Sequence, residues 1–277
     1  MQSTSPGTGS ASTQQPESAM RAVLTTLQVL EAVAELQPVG VSAIARKTTI
    51  PKSSVQRCLM TLHQAGWLTS SRSNTRQWVV TGKALSIGLH GSGDLGLREA
   101  ARGTMQQLRD ETHETIHLSS YGTDALGHTG PSPNTLVIID RLDSFEPVRT
   151  WVRLGTRAPL HASCSGRAVL AHLPDTEVDQ LLTGPLESFS EHTLADREEI
   201  MTDLVAVRAR GYAVNNCEWR PGVGAVAAVL LDAQSYPVGA LAISMPIQRY
   251  DQERARLLGP VVKEAARQIS RTIGDTG

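Results

Sequence analysis

Three groups of residues in this 277-residue chain are spaced for chemistry. His113-Glu114-Thr115-Ile116-His117 matches H-E-x-x-H, in which two histidines on one helix face hold zinc and the glutamate acts as base. That arrangement needs a helix and a third ligand. Thr115, Ile116, Leu118 and Tyr121 instead read as the start of a strand, where residues four apart lie about 13 Å from one another. No clear third ligand follows, so no metal site is assigned. The second group is His161 with Cys164, a base and a thiol nucleophile three residues apart. Nothing in the sequence marks an orienting carboxylate or a lowered thiol pKa, so a buried cysteine beside a pocket is the better reading. No catalytic residue and no cofactor is assigned; an enzyme using Cys164 and His161 stays as a rival. The third group is Lys52, Ser53, Ser54, Gln56 and Arg57, early in an expected helix. Hydroxyls and cations there can hold phosphates, while Gln56 and Arg57 can each make paired hydrogen bonds to base edges.

The charge distribution supports the third group. The net charge is only -1, yet residues 20–90 carry eight basic side chains against Glu31 and Glu35, a local +6, and residues 91–277 carry -6. A basic segment joined to an acidic one points to a polyanion partner for the first alone. Hydrophobic residues at 40% and charged residues at 19% are ordinary for a globular chain. No apolar run is long enough for a membrane span and no targeting segment is evident, so a cytoplasmic protein without a membrane partner is expected. Cys58, Cys164 and Cys217 lack metal-ligand spacing and are expected as reduced thiols.

The elements that must position these residues follow from periodicity. Residues 1–19 are Ser, Thr, Gly, Gln, Pro and Ala without a large apolar anchor, and read as a disordered tail. Val23, Leu24, Leu27, Leu30 and Val33 recur at helical spacing up to Pro38. A short second helix follows, with Ser42 as its N-cap and a possible DNA contact. Pro51 opens a third, whose apolar Val55, Leu59 and Leu62 alternate with the polar group above. Trp67 to Thr69 and Trp78 to Val80 read as a hairpin around a polar turn holding Arg72 and Arg76, a wing that can reach a DNA backbone or minor groove. Three helices and a wing over residues 20–84 fit a winged helix-turn-helix. A protein-interaction module with merely solvated charges is the bland alternative. Residues 85–100 are expected as a linker helix, and 101–277 as an α/β or α+β sensing and oligomerisation domain. Its expected strands include 116–121, 136–142, 148–154, 223–231 and 238–244, and Asp196 and Asp251 stand at the starts of two helices.

Val41-Ser42-Ala43-Ile44-Ala45, Ile50-Pro51-Lys52-Ser53-Ser54-Val55-Gln56-Arg57-Cys58-Leu59 and Gly66-Trp67-Leu68 resemble, in that order, the helix-turn-helix of the IclR family of bacterial transcriptional regulators. Leu154 to Ser163 with Gly166-Arg167-Ala168, Arg210-Gly211-Tyr212-Ala213 and Pro221-Gly222-Val223 are similar to that family's effector domain. The resemblance covers roughly residues 20–275. It implies a GAF-like C-terminal domain that takes a small organic acid, with Leu154, Cys164, Ser165, Asn215, Val223, Ala225, Ala242 and Ser244 lining the pocket. Trp151 and Val152, with Trp219 near them in motif order, would add an aromatic wall. It further implies a repressor or activator, controlling a catabolic operon, that binds a palindromic double-stranded operator as a homodimer or homotetramer.

Overall fold

The structure is a computed structural model that describes residues 20–91, 94–121 and 135–275. The chain divides into two compact units, Met1–His90 and Gly91–Gly277. The expected disordered tail, 1–19, lies outside the described residues. So do residues 92–93 of the expected linker, whose remainder falls on the end of α4 and the start of α5.

The first unit contains α1 (Arg21–Leu36), α2 (Val41–Thr48), α3 (Lys52–Gln64), β1 (Leu68–Ser70), β2 (Trp78–Val80) and α4 (Gly82–Gly91). Each of the first three helices turns one apolar stripe inward: Val29 and Val33, then Ile44, then Val55, Leu59 and Leu62, closed by Leu68 from β1. Each such fully buried aliphatic side chain contributes about 1.5–3 kcal/mol. The hairpin pairs Leu68 with Val80 and Ser70 with Trp78, and Val39 bridges to Trp78, so the wing is anchored to the segment between α1 and α2. One local expectation is corrected here. The N-cap of α2 is Gly40 and not Ser42, because the helix already begins at Val41; Ser42 sits exposed in the first turn.

The second unit contains α5 (Asp94–Thr112), β3 (Thr115–Ser120), β4 (Thr135–Leu142), β5 (Arg157–Pro159), α6 (Cys164–Leu170), α7 (Asp175–Leu181), α8 (Arg197–Arg210), β6 (Ala213–Asn216), β7 (Val223–Leu231), β8 (Pro237–Pro246) and α9 (Gln252–Asp275). Its six strands form one antiparallel sheet in the order β5-β4-β3-β8-β7-β6. Strand alternation sends Ile116, Leu118, Val226, Leu241 and Ile243 to one face, under Met105 and Leu108 of α5 and Val262 and Ile269 of α9. The opposite face carries Ala225, Ala227, Ala240 and Ala242 under Val169 of α6 and Leu204 of α8. Asp196 caps α8 by accepting from the N–H groups of Glu198 and Glu199. Gly211 ends that helix with φ +82 while its N–H donates to the Val207 carbonyl at 2.7 Å.

The strand expected at 148–154 does not form. Side chains take the backbone carbonyls that a neighbouring strand would have needed: Thr115 Oγ1 donates to Thr150, Arg220 to Trp151 and Arg141 to Val152. Gly155 then turns the chain at φ +81.

Candidate functional site

In the first unit, the burial of Val55, Leu59 and Leu62 leaves Lys52, Ser53, Gln56 and Arg57 exposed, with Ser54 half-buried. Lys52 with Gln56, and Ser53 with Arg57, are one turn apart, so two adjacent rows of donors run along the free face of α3. No acidic residue occupies the first turn of α1, α2 or α3, which leaves the positive helix ends unneutralised for phosphate. Arg72 and Arg76 are exposed on the turn between β1 and β2. Among the described residues Lys52, Arg57, Arg72 and Arg76 enter no ion pair, whereas the neighbouring Lys47 lies 3.0 Å from Glu35.

In the second unit a cavity of about 50 Å³ lies on the α6 face of the sheet. His117 and Ser119 point into that side because Ile116 and Leu118 point to the other. Ala242 is the register partner of His117, and Ala225 lies between Asn215 and Ser244, so small side chains leave the space open. Of the nine positions suggested from the sequence, Trp151, Cys164, Ser165, Asn215, Val223, Ala225, Ala242 and Ser244 line the cavity. Leu154 does not: it is 47% exposed on the turn that replaces the expected strand. Val152 and Trp219 also line it. Sequence reasoning missed His117, Ser119, Ile138, Thr150, Ala158, Ser163 and Arg220, all of which line it too. Alternation along β3 was the available signal for the first two. Thr150 and Arg220 are carried on irregular segments that no periodicity places.

The lining holds one guanidinium, one imidazole and no carboxylate. Burial pushes His117 down to about 3, helped by the nearby Arg141 and Arg220 and opposed by Asp143, so the ring is neutral. The ring is half-buried, but its Nε2 is sealed from solvent and has no hydrogen-bond partner. Arg220 donates to the Trp151 carbonyl at 2.9 Å and stands 5.4 Å from the Trp219 ring; Arg141 stands 5.0 Å from the Trp151 ring. The hydroxyls of Thr150 and Ser244 are 2.6 Å apart. A wider groove of about 600 Å³, bounded in part by Trp151, Trp219 and Arg220, shares this edge of the cavity.

Asn215 is engaged by the protein itself. Its Nδ2 donates to the Ala162 carbonyl at 2.8 Å and to Glu218 at 3.3 Å, while its Oδ1 accepts from the Glu218 N–H. Glu218 pairs with Arg167, a fully buried cation that also meets Asp203 at 3.2 Å. These bonds hold the turn from which Trp219 and Arg220 reach the cavity. The helix start near Cys164 is likewise partly committed: the Gly166 N–H donates to Ser163 Oγ at 3.0 Å, which in turn donates to the Pro159 carbonyl. A side chain at 166 would lie 2.2 Å from the Leu160 carbonyl oxygen, so only glycine lets α6 sit this close.

Neither alternative chemistry is assembled. Burial pushes the Cys164 thiol up to about 12, and His161 donates through Nε2 to the Glu187 carbonyl at 2.9 Å instead of facing the sulfur as a base. In the H-E-x-x-H segment α5 has ended at Thr112 and β3 starts at Thr115, with His113 at φ +58 between them. Glu114 is buried and takes two bonds from Arg249, at 2.7 and 2.8 Å. Among the described residues no three His, Cys, Asp or Glu side chains are grouped to hold a metal, and no helix is long and apolar enough to cross a membrane.

Comparison with known proteins gives the same division of the chain. The model described as the IclR helix-turn-helix domain matches residues 22–72, and that of the bacterial transcriptional regulator IclR C-terminal matches residues 92–271. The chain is 32% identical to the HTH-type transcriptional regulator BhcR of Paracoccus denitrificans, over 91% of this chain and 86% of that one. It is 28% identical to the regulator KdgR of Escherichia coli, over 94% and 95%. The crystal structure of an IclR homolog from Microbacterium hydrocarbonoxydans, complexed with 4-hydroxybenzoate, superimposes with a TM-score of 0.73 at 22% identity, covering 91% of this chain and 98% of the other.

Proposed function

We propose, from the premise that this chain belongs to the IclR family of bacterial transcriptional regulators, that a small carboxylic or aromatic acid bound in its C-terminal unit sets its affinity for a palindromic operator. Residues 20–84 are the DNA-reading domain, 85–100 the linker, and 101–277 the domain for effector binding and self-association, working as a cytoplasmic homodimer or homotetramer. Arg57 and Gln56 read bases; Lys52, Ser53, Ser54, Ser42, Arg72 and Arg76 hold the backbone. The observation that carries the effector half is a cavity whose lining has the Arg220 guanidinium and the His117 imidazole but no carboxylate, which favours an anion. The homolog holding 4-hydroxybenzoate supports an acid as the ligand class. The ligand acts by differential affinity for two states of the regulator, since equal affinity would shift nothing. The test is to select operator fragments with the purified protein and titrate them by fluorescence anisotropy with and without a panel of acids. At least one acid should change operator affinity several-fold, while amines of matched size should not; a panel without effect on DNA binding would sink the effector half.

A further inference from the structure

The cavity carries more information than the sign of its ligand. At about 50 Å³ it has room for only a few water-sized groups, at ~10–15 Å³ each. A benzene ring occupies an engineered cavity of about 150 Å³. A compact aliphatic acid fits the site as it stands, whereas an aromatic one requires the edge at Trp151 and Trp219 to open. The wall also contains a polar atom that the fold leaves unsatisfied, Nε2 of His117, between the cations Arg141 and Arg220. A buried polar atom without a partner costs about 1–3 kcal/mol, and a ligand oxygen that meets it recovers that loss. Neutral imidazole can donate to an oxo group in one tautomer or accept from a hydroxyl in the other.

We propose that the site is built for an acid of two to four carbons bearing an oxo or hydroxyl oxygen, with Arg220 taking the carboxylate and His117 acting as the specificity-determining contact for the second oxygen. This rests on the acid-effector reading above and narrows it. His117 lies on β3 opposite Ala242, so the imidazole meets the ligand across a floor made of methyl groups, and the Thr150–Ser244 hydroxyl pair is a further polar contact within the same lining.

Isothermal titration of the full chain with glyoxylate, pyruvate, lactate, propionate and benzoate tests the assignment. At least one oxygenated acid should bind roughly tenfold or more tightly than propionate, because a site that pairs a ligand oxygen rejects the analogue lacking it. Benzoate should be weaker than that acid. In His117→Leu the oxygenated acids should fall to the affinity of propionate, and in Arg220→Gln all of the acids should weaken together. Should the leucine variant fail to fold by circular dichroism, His117→Asn serves instead and should reduce the same ratio. Propionate or benzoate binding wild type as tightly as pyruvate, glyoxylate and lactate, or a ratio unchanged in the His117 variants, overturns the inference. If benzoate alone binds and shifts operator affinity, the acid-effector reading stands while this narrower one falls. If no acid binds a protein that still holds its operator, both fall.

Discussion

At the scale of single residues, the two units hold their functional side chains in opposite ways. Arg57 is exposed and in no described ion pair, so its energy becomes available only against DNA. Arg57→Ala should weaken operator binding by roughly 1–3 kcal/mol and relax preference at one base position, whereas Lys52→Ala should weaken all sequences alike and flatten the salt dependence. A gel-shift titration on matched and mismatched operators separates the two. His117 is held by burial, and its titration is thereby coupled to folding. In the unfolded chain it takes up a proton near 6.5, in the folded protein only near 3, so between those values the unfolded state binds more protons. Its contribution to stability is complete above pH 6.5 and is lost as pH falls toward 3. Thermal midpoints measured across that window should drop less steeply for His117→Leu than for wild type. Cys164, with its thiol pushed up to about 12, should react with a thiol reagent at pH 8 only at the rate of unfolding or local opening, far more slowly than the half-buried Cys58 and Cys217.

At the scale of elements, termini should be sensitive and their cost is readable. Asp196→Ala removes the acceptor for two N–H groups at the start of α8 and should cost about 1 kcal/mol in chemical denaturation. Gly211→Ala forces an L side chain into the left-handed region and should cost about 1–2 kcal/mol, the methyl also displacing the end of Lys263. Both ends of α8 were legible in the sequence, as were the three helices and the wing of the first unit, because caps and apolar periodicity are local signals. What the sequence hid was set by long-range contacts. Val148–Leu154 has the apolar character of a strand, but Thr115, Arg141 and Arg220, each distant in sequence, claim its carbonyls and leave it irregular. Leu154 left the expected pocket with that segment, and Arg220 entered it. Ser42 was misread by one position, the usual uncertainty of a helix end. Asn215 was singled out as a ligand contact, yet its amide is spent on Ala162 and Glu218, a pairing that only folding reveals.

At the scale of the whole molecule, charge and ligand chemistry are segregated by unit, +6 against -6. Operator affinity should therefore fall steeply with added salt, while acid binding should depend on it much less; parallel titrations at several ionic strengths check this. A fragment of residues 91–277, with its own sheet and two helical faces, should fold and retain the acid while losing all DNA binding, as calorimetry and anisotropy on the isolated piece would show. Within that unit, β7 and β8 assign alternate positions to different tasks. Ala225, Ala227, Ala240, Ala242 and Ser244 face the cavity side, while Val226, Ala228, Leu241, Ile243 and Met245 face α5 and α9. Substitutions of one parity can change what is recognised, and those of the other can change whether the unit folds. A lineage of such proteins can thus exchange one metabolite for another by point mutation, exploring new inputs while the architecture that carries the output is inherited intact.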